Sequence, residues 1–560
     1  MDGTTGRLFR EFSIVVSGSV IISSFAALTF TPMLATKLLI KREQQSWFYR
    51  KTEPFFEGMN RVYSQSLAAF LKRRWIALPF TIVTILLIGV LWNTIPAEMA
   101  PLEDRSQISI NTMGAEGVTY EYIRDYTEDI NHLVDSIIPD AEAVTARVSS
   151  GSGNVRITLK DMKDRDYTQM EVAEKLSKAV QKKTMARSFV QQSSSFGGRR
   201  GGMPVQYVLQ ATNIEKLQEV LPKFMTKVYE NPVFQMADVN LKFSKPEARI
   251  NINRDKASIM GVSTKNIAQT LQYGLSGQRM GYFYMNGKQY EILGEINRQQ
   301  RNKPADLKGI YIRSDNGNMV QLDNLIELTG GIAPPKLYRY NRFVSATISA
   351  GLADGKTIGQ GLDEMDKIAK ETLDETFRTA LTGDSKEYRE SSSSLMFAFI
   401  LAIVLIYLIL AAQFESFKDP LIIMLTVPLA IAGALVFMYF GGITMNIFSQ
   451  IGIIMLIGLV AKNGILIVEF ANQKQEAGED KMRAIKDASL QRLRPILMTS
   501  ASTILGLIPL AYATGEGCNQ RIAMGTAVVG GMLISTLLTM YIVPAIYSYV
   551  STNRSKLKTE

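Results

Sequence analysis

Seven long apolar stretches interrupt an otherwise mixed sequence of 560 residues. They cover residues 12–36, 75–92, 395–412, 420–440, 447–470, 495–513 and 523–550. Each stretch is close to or above the roughly 20 residues with which a helix crosses a bilayer core of about 30 Å. The pattern therefore predicts seven membrane-spanning helices, two before and five after one long polar region.

The polar region between Trp92 and Leu395 is too long for a loop, so it predicts folded domains outside the membrane. Short strand patterns alternate in it with amphipathic helices. The predicted strands cover 108–113, 143–148, 155–159, 205–210, 239–243 and 344–350, and the predicted helices cover 120–138, 214–229 and 358–373. Such repeated units predict small α+β modules with helices on one face of a sheet. Residues 246–334 have the pattern of an inserted module with short strands of its own.

The distribution of charge indicates an orientation in the membrane. The net charge of +10 and the pI of about 9.3 are compatible with a nucleic-acid partner. The Lys and Arg residues, however, cluster beside the apolar stretches at 37–51 and 72–74, so we expect no nucleic acid. The positive-inside rule places this first connector in the cytoplasm and the large polar region outside it. The single cysteine, Cys518, excludes an intrachain disulfide.

Lys462 is the residue that most clearly points to chemistry, because it lies near the middle of the apolar stretch GLVAKNGILIVEF. An isolated ammonium there costs at least a few kcal/mol on insertion scales, and such residues usually have a function. Arg492 and Thr499 in the next helix are seven residues apart and therefore on one face. We expect the three side chains to line one polar pathway. The alternatives are a positive-inside anchor for Arg492 and a helix-backbone hydrogen bond for Thr499.

The sequence offers only weak candidates for nucleotide-binding, metal or catalytic sites. The segment GLADGKT at 351–357 is one residue shorter than a phosphate-binding P-loop. The lone His132 lies in an amphipathic helix without a nucleophile or metal-ligand cluster around it. We therefore expect no catalytic residues, no metal site and no enzyme activity.

A loop that is flexible by composition, SSSFGGRRGGMP at 193–204, is either solvated or lines a substrate cleft. The cleft candidates in and beside this loop are Phe196, Arg199, Met203 and Tyr207.

Five segments together carry a family resemblance: TGRLFREF, PLEDR, LVAKNGILIVEFA, RLRPILMTS and VVGGMLISTLLTMYIVPAIY. They resemble the resistance, nodulation and division (RND) superfamily of efflux permeases, and within it the AcrB-like hydrophobe and amphiphile efflux branch. The match runs nearly from end to end. Members of that family have twelve membrane helices in two repeats, and this chain resembles the sixth helix followed by the whole second repeat, the C-terminal half only.

The resemblance implies an architecture. It is a membrane α-helical bundle of seven helices with a large α+β periplasmic insertion of ferredoxin-like porter subdomains and a docking module, in the bacterial inner membrane. The implied segments are a membrane helix at 8–40, a cytoplasmic connector at 41–74, a membrane helix at 75–96, porter subdomains at 103–245, a docking subdomain at 246–334, a return to the second porter subdomain at 335–386, five membrane helices at 392–550 and a cytoplasmic tail at 551–560.

The resemblance also implies an activity, namely secondary active export of amphiphilic drugs by proton antiport. The proton motive force supplies the energy, and no cofactor is expected. Lys462 matches the family's relay lysine, which pairs with two aspartates on the fourth helix, and Arg492 and Thr499 match further relay positions. The implied partners are the N-terminal half of the pump, the other copies in a homotrimer of the complete permease, a periplasmic adaptor protein, an outer-membrane channel and amphiphilic small molecules.

Two departures from the family pattern keep alternatives open. The helix that bears the aspartates has no counterpart in this sequence, so we expect the chain alone to be inactive. The loop at 149–154 reads SSGSGN where the AcrB type carries phenylalanines, so aromatic drug trapping does not transfer. The alternatives are an RND-type relative that exports metal ions or assists protein export, and an inert truncated product. Metal export would favour Met, His or carboxylate pairs, and the seven stretches contain several Met but no His or Asp.

Overall fold

A computed structural model describes residues 3–38, 47–192, 203–334, 336–353 and 355–552. The chain divides into two compact units. The first unit comprises Met1–Met113, Ile123–Asn240 and Arg339–Glu560, and the second comprises Gly114–Tyr122 and Leu241–Tyr338.

Helices make up most of the first unit, and the second unit contains α7 and α8. The helices are α1 (Gly3–Leu38), α2 (Trp47–Lys72), α3 (Ala77–Thr94), α4 (Tyr120–Ile137), α5 (Gln169–Gln181), α6 (Ile214–Glu230), α7 (Arg254–Ile259), α8 (Thr264–Leu275), α9 (Ile358–Thr372), α10 (Gly383–Phe414), α11 (Lys418–Met424), α12 (Thr426–Phe440), α13 (Ile447–Glu476), α14 (Lys481–Ala511) and α15 (Cys518–Val550). Within the described residues, seven helical segments are long and apolar enough to cross a membrane, and each contains one of the predicted stretches or most of it. These segments are Gly6–Leu38, Arg74–Thr94, Gly383–Phe414, Lys418–Phe440, Ile447–Glu476, Lys481–Ala511 and Cys518–Val550.

Short strands form small antiparallel sheets. The strands are β1 (Gln107–Met113), β2 (Ala143–Ser149), β3 (Ser152–Thr158), β4 (Arg187–Gln192), β5 (Val205–Ala211), β6 (Phe234–Val239), β7 (Lys245–Ile252), β8 (Gln278–Met285), β9 (Lys288–Gly294), β10 (Tyr311–Arg313), β11 (Met319–Gln321), β12 (Ile326–Ala333), β13 (Arg339–Tyr340), β14 (Phe343–Leu352) and β15 (Arg378–Leu381). The strand predicted at 239–243 is wrong, because the paired strand β6 ends at Val239. Leu241 continues the apolar alternation and is buried, but outside the ladder.

The first sheet module consists of β1–β4 with α4 and α5. Its strand order is β2-β3-β1-β4, and all neighbours are antiparallel. Alternate residues of β1 are buried, as a strand with one covered face requires. Ile108 and Ile110 of β1 pack with Ile130 of α4 and Leu176 of α5 in one apolar core. Thr168 begins α5 with a capping box that satisfies the first free backbone amides.

The second sheet module consists of β5, β6 and β13–β15 with α6 and α9. Its strand order is β13-β14-β5-β15, and β6 also pairs with β14. α6 and α9 are strongly amphipathic, and their buried side chains include Phe224 and Met365. Both helices therefore bury one apolar face, as the periodicity of the sequence predicts.

Among its described residues, the second unit contains three two-stranded sheets, in which β7 pairs with β12, β8 with β9 and β10 with β11. Its core is small and includes Ile267 of α8 with Ile312, Leu322 and Leu325. The β8–β9 hairpin contributes little to this core, because most of its side chains are exposed.

The membrane bundle is organised around α15, which packs against α12, α13 and α14. Glycines allow the close approach. A Cβ added at Gly531 would lie 2.1 Å from Leu456 Cδ2 and 2.9 Å from the Ala430 carbonyl oxygen. Small residues at a helix interface bring backbones together, so α15 fits closely against α12 and α13.

The connector helix α2 lies against the bundle with one apolar face. Tyr63, Leu67 and Leu71 are buried in the same apolar cluster as residues of α13, α14 and α15. The Tyr63 hydroxyl donates a hydrogen bond of 2.7 Å to the Met540 carbonyl oxygen. Arg494 of α14 forms a salt bridge of 2.9 Å with Glu53 of α2. These contacts dock the connector on the membrane helices.

Candidate functional site

Lys462 lies in the middle of α13, the span that reaches from Ile447 to Glu476. Its neighbours Ala461 and Asn463 are buried, whereas Lys462 itself is partly exposed at the side of the bundle. Within the described part of the chain, the Lys462 ammonium has neither an ion-pair partner nor a hydrogen-bond acceptor. The structure therefore presents a positive charge in an apolar helix without a neutralising carboxylate among these residues.

A buried polar cluster of Asn463, Ser500 and Thr536 includes the residue that follows Lys462 in α13. The Asn463 side-chain amide donates to Ser500 Oγ (3.3 Å) and to Thr536 Oγ1 (3.4 Å). Thr536 Oγ1 donates in turn to Ser500 Oγ (3.1 Å). The cluster joins α13, α14 and α15, and the Asn463 amide oxygen has no partner among the described residues. Polar groups buried in hydrocarbon are expected to be paired, so the Asn463 oxygen leaves this cluster with spare hydrogen-bonding capacity among the described residues.

Arg492 and Thr499 occupy α14 but do not bond to Lys462. The Arg492 guanidinium lies over the Phe470 ring, 4.4 Å from its centroid, in a cation–π contact. Thr499 is exposed, and its hydroxyl donates to the Ile496 carbonyl oxygen of its own helix (3.1 Å). Ser500, one residue further along, is the α14 side chain that joins the polar cluster. A shared pathway for Lys462, Arg492 and Thr499 stays a prediction.

A second buried network lies further along α13 and includes Asp419, a carboxylate that the sequence analysis missed. Asn472 donates to Asp419 Oδ2 (3.0 Å), and the Tyr547 hydroxyl donates to Asn472 Oδ1 (2.6 Å). Gln475 donates to the Tyr547 oxygen (2.6 Å). Asp419 directly precedes the apolar stretch that begins at 420, so its position at a helix end concealed its burial. These hydrogen bonds give the buried polar groups partners inside the bundle.

Of the four predicted substrate-cleft residues, the structure describes two. Phe196 and Arg199 lie outside the described residues. Met203 and Tyr207 are buried, and the Tyr207 hydroxyl donates to Asp366 (2.9 Å) in the second sheet module. Burial raises the pKa of Tyr207, so the hydroxyl stays neutral. In this conformation neither side chain offers much surface to a ligand, and the cleft assignment stays a prediction.

The open face of the first sheet module carries a ladder of amides that the sequence analysis did not single out. Asn154 donates to Asn111 (2.8 Å), and Asn111 donates to Gln191 (2.8 Å). Phe189 is partly exposed on the strand beside them and pairs with Asn111 across the ladder. The face thus combines amide groups with an aromatic ring, which suits a ligand that is partly polar and partly apolar. The alternation of polar residues in β1 and β3 is the sequence pattern from which this polar face could have been predicted.

Comparison with known proteins agrees with the motifs. The family model described as AcrB/AcrD/AcrF matches residues 1–551. An uncharacterized transporter of Haemophilus influenzae is 31% identical over 567 residues, and the match covers 100% of this chain and 55% of that transporter. The chain therefore spans about half of the length of this curated relative. Because the family match extends over nearly the whole sequence, the chain belongs to the AcrB/AcrD/AcrF family of RND permeases.

Proposed function

We propose that this chain forms the C-terminal half of a proton-driven RND permease that exports amphiphilic compounds across the bacterial inner membrane. The observation that carries the proposal is the Lys462 ammonium in the middle of an apolar membrane helix, one residue before Asn463 of the Asn463–Ser500–Thr536 cluster. A charge in that position costs at least a few kcal/mol unless a partner compensates it. Family membership supports transport as the function that such a cost serves.

The carboxylates that pair with Lys462 lie, on this proposal, in the portion of the permease that the chain does not cover. An acid beside a partly desolvated ammonium is stabilised in its charged form. Protonating that acid removes the attraction and changes the local electrostatics by several kcal/mol in a low dielectric. Such a change is large enough to bias two alternative packings of the helices, and so to couple proton entry to export.

The open face of the first sheet module supports amphiphiles as the substrate class. The amides of Asn111, Asn154 and Gln191 are suited to polar substituents, and Phe189 is suited to an apolar ring. The hydroxyls of Ser149 and Ser152 at the β2–β3 turn bond to each other and add further polar surface. Phe196, Arg199, Met203 and Tyr207 remain the cleft candidates of the sequence analysis.

The β8–β9 hairpin supports assembly with other proteins. We place a homotrimer, a periplasmic adaptor and an outer-membrane channel among the partners. Large apolar side chains are exposed on both strands of this hairpin: Met280, Tyr282, Phe283, Tyr284, Met285, Tyr290, Ile292 and Leu293. Contiguous exposed apolar surface marks interaction sites, and aromatic and Met side chains are enriched in them.

Substitution of Lys462 tests the proton-coupling role. In the complete permease that contains this chain, Lys462→Ala should reduce energy-dependent dye efflux to the background of a pump-deficient host, because the charge on which proton binding acts is lost. Arg492→Ala and Thr499→Ala should impair efflux less completely. Lys474→Ala, on the same helix but paired with Glu479, is the matched control and should leave efflux intact.

The measurement is dye accumulation with and without a protonophore, after expression and assembly have been checked. Efflux that persists at the unmodified rate in Lys462→Ala would remove this residue from the coupling mechanism.

A further inference from the structure

A tightly bonded junction connects the start of α15 to the first sheet module. The junction consists of residues 102–107, which lead into β1, together with Asn519 and Gln520 of α15. The Glu103 carboxylate accepts a hydrogen bond from the Gln520 backbone amide (2.9 Å), and Asn519 Nδ2 donates to the Leu102 carbonyl oxygen (2.7 Å). The motif PLEDR therefore holds the first turn of a membrane helix.

Glu103 acts as a helix cap supplied from a distant part of the chain. α15 begins after Gly517, which has no side chain to cap the free backbone amides. A carboxylate at a helix N-terminus bonds these amides and interacts favourably with the positive end of the helix dipole. Glu103 is only 1% exposed, so water screens this interaction little. Its second oxygen, Oε2, has no partner among the described residues, which leaves the Gln520 bond to orient the carboxylate.

Residues 104–107 of the junction are hydrogen-bonded to Gln169 at the start of α5 in the first sheet module. Asp104 accepts hydrogen bonds from the Gln169 backbone amide (2.9 Å) and from the Arg165 guanidinium, which is fully buried. The Gln169 side chain accepts from the backbone amides of Arg105 (2.9 Å) and Gln107 (3.1 Å). Gln169 is the first residue of α5 and has no exposed surface. A displacement at Glu103 would therefore reach both β1 and α5.

The same helix contacts the polar cluster in the membrane. Thr536 of α15 bonds to Ser500 and Asn463, and Asn463 follows Lys462 directly. Thr536 lies 16 residues after Gln520, a distance of about 24 Å along a continuous helix. Close glycine packing against α12 and α13 leaves α15 little freedom to bend independently of its neighbours.

We propose that Glu103 is a positioning residue that couples α15 to the first sheet module, so that a change of charge at Lys462 moves the module through this helix. The inference rests on the proposed coupling role of Lys462, and it assigns a transmission route that this role alone does not specify. The substrate-binding face of the module, with Asn111 on β1, then changes position together with the junction.

Hydrogen–deuterium exchange of the 560-residue chain in detergent micelles tests the route without any substrate. Lys462→Met should change amide exchange in Gln107–Met113 and Gln169–Gln181 by about threefold or more, because local opening follows the state of the junction. In a chain that also carries Glu103→Leu, which keeps the size of the side chain but removes the acceptor, Lys462→Met should no longer cause that change in exchange. Glu103→Gln, which keeps an acceptor oxygen, should retain it. Glu174→Leu, on the exposed side of α5, is the control and should also retain it.

Asn519→Ala removes the second bond of the junction and leaves the buried carboxylate intact, so it serves if Glu103→Leu does not fold. It should reduce the exchange change by about half or more. An unaltered response in Glu103→Leu or, where that variant is unfolded, in Asn519→Ala would overturn the proposal, as would the absence of any response to Lys462→Met in the otherwise unmodified chain. Full efflux in Lys462→Ala would instead contradict the transport proposal, so the two failures are distinguishable.

Discussion

Lys462 and Glu98 are both ionisable residues in or beside the membrane spans, and they differ in their hydrogen-bond partners. Lys462 directly precedes the buried Asn463 in the chain and has no carboxylate partner among the described residues. Glu98 follows the second membrane span, where the Thr444 hydroxyl donates a hydrogen bond to it. Burial raises the pKa of Glu98 above its ordinary value of 4.5, and the bond from Thr444 opposes that shift only in part.

The raised pKa of Glu98 predicts a pH-dependent stability. Below about pH 4.5 the carboxyl is protonated in both the folded and the unfolded chain, and it contributes no penalty. As the pH rises through the higher folded-state pKa, the unfolded state ionises more readily, so folding loses stability. Glu98→Gln should therefore raise the melting temperature at pH 8 more than at pH 5.

Thermal melting of the detergent-solubilised chain at the two pH values measures this difference. The exposed Glu142→Gln is the control and should shift neither melting temperature. An equal effect of Glu98→Gln at both pH values would contradict the role of burial.

At the scale of elements, α15 determines how the membrane helices fit together. Gly525, Gly530 and Gly531 face other helices at distances that leave no room for a side chain. At Gly525 the added Cβ would meet backbone atoms, 2.5 Å from the Ala511 nitrogen and 2.7 Å from the Leu510 carbonyl carbon. Backbone atoms cannot move aside as the end of a flexible side chain can, so this contact is the least tolerant.

Gly525→Ala should consequently destabilise the bundle by about 1–3 kcal/mol, the usual cost of overpacking a closely fitted core. Gly506→Ala on α14 is the matched control, because a Cβ there meets nothing within 4 Å. Ala is also the better helix former, so the control should melt at the same temperature or slightly above. Melting curves of the two variants that coincide would show that α15 can move away from the end of α14.

At the scale of the whole molecule, the chain covers only about half of the length of its curated relative. Large apolar side chains of α1, α3 and α10 are exposed along these helices, including Phe25, Leu86 and Phe397. A bilayer covers such surfaces, and so does further protein, but only protein can supply the carboxylates that Lys462 requires on the proposed mechanism.

We therefore expect the 560-residue chain, expressed alone in a pump-deficient host, to confer no energy-dependent dye efflux. Co-expression with the matching N-terminal half of an RND permease should restore part of it, because that half supplies the acids and the rest of the cleft. Two copies of this chain alone would bring two Lys462 ammonium groups together, which repel each other. Efflux by the chain alone, abolished by a protonophore, would contradict this expectation.

Local pattern was sufficient to predict most elements. The seven spans and the helices α4, α6 and α9 follow from apolar periodicity, and their observed bounds differ by a few residues in the modules and by up to about fifteen at the polar ends of the spans. The prediction for Lys462 was local too, since a charge in an apolar run is visible in the sequence itself. The burial of Asp419 was not predicted, because a carboxylate at the edge of an apolar run is usually solvated. Only its contact with Asn472 in the folded bundle shows that it is buried.

What the sequence determined by itself was thus the set of membrane helices, the strand–helix modules and the position of one intramembrane charge, because each depends on residues that are close in the chain. The tertiary structure decided which side chains meet. Asn463 bonds to Ser500 and Thr536 across 37 and 73 residues, and Glu103 bonds to Gln520 across 417. Such contacts depend on how each helix is rotated and how closely backbones approach, which the glycines of α15 permit but periodicity does not encode.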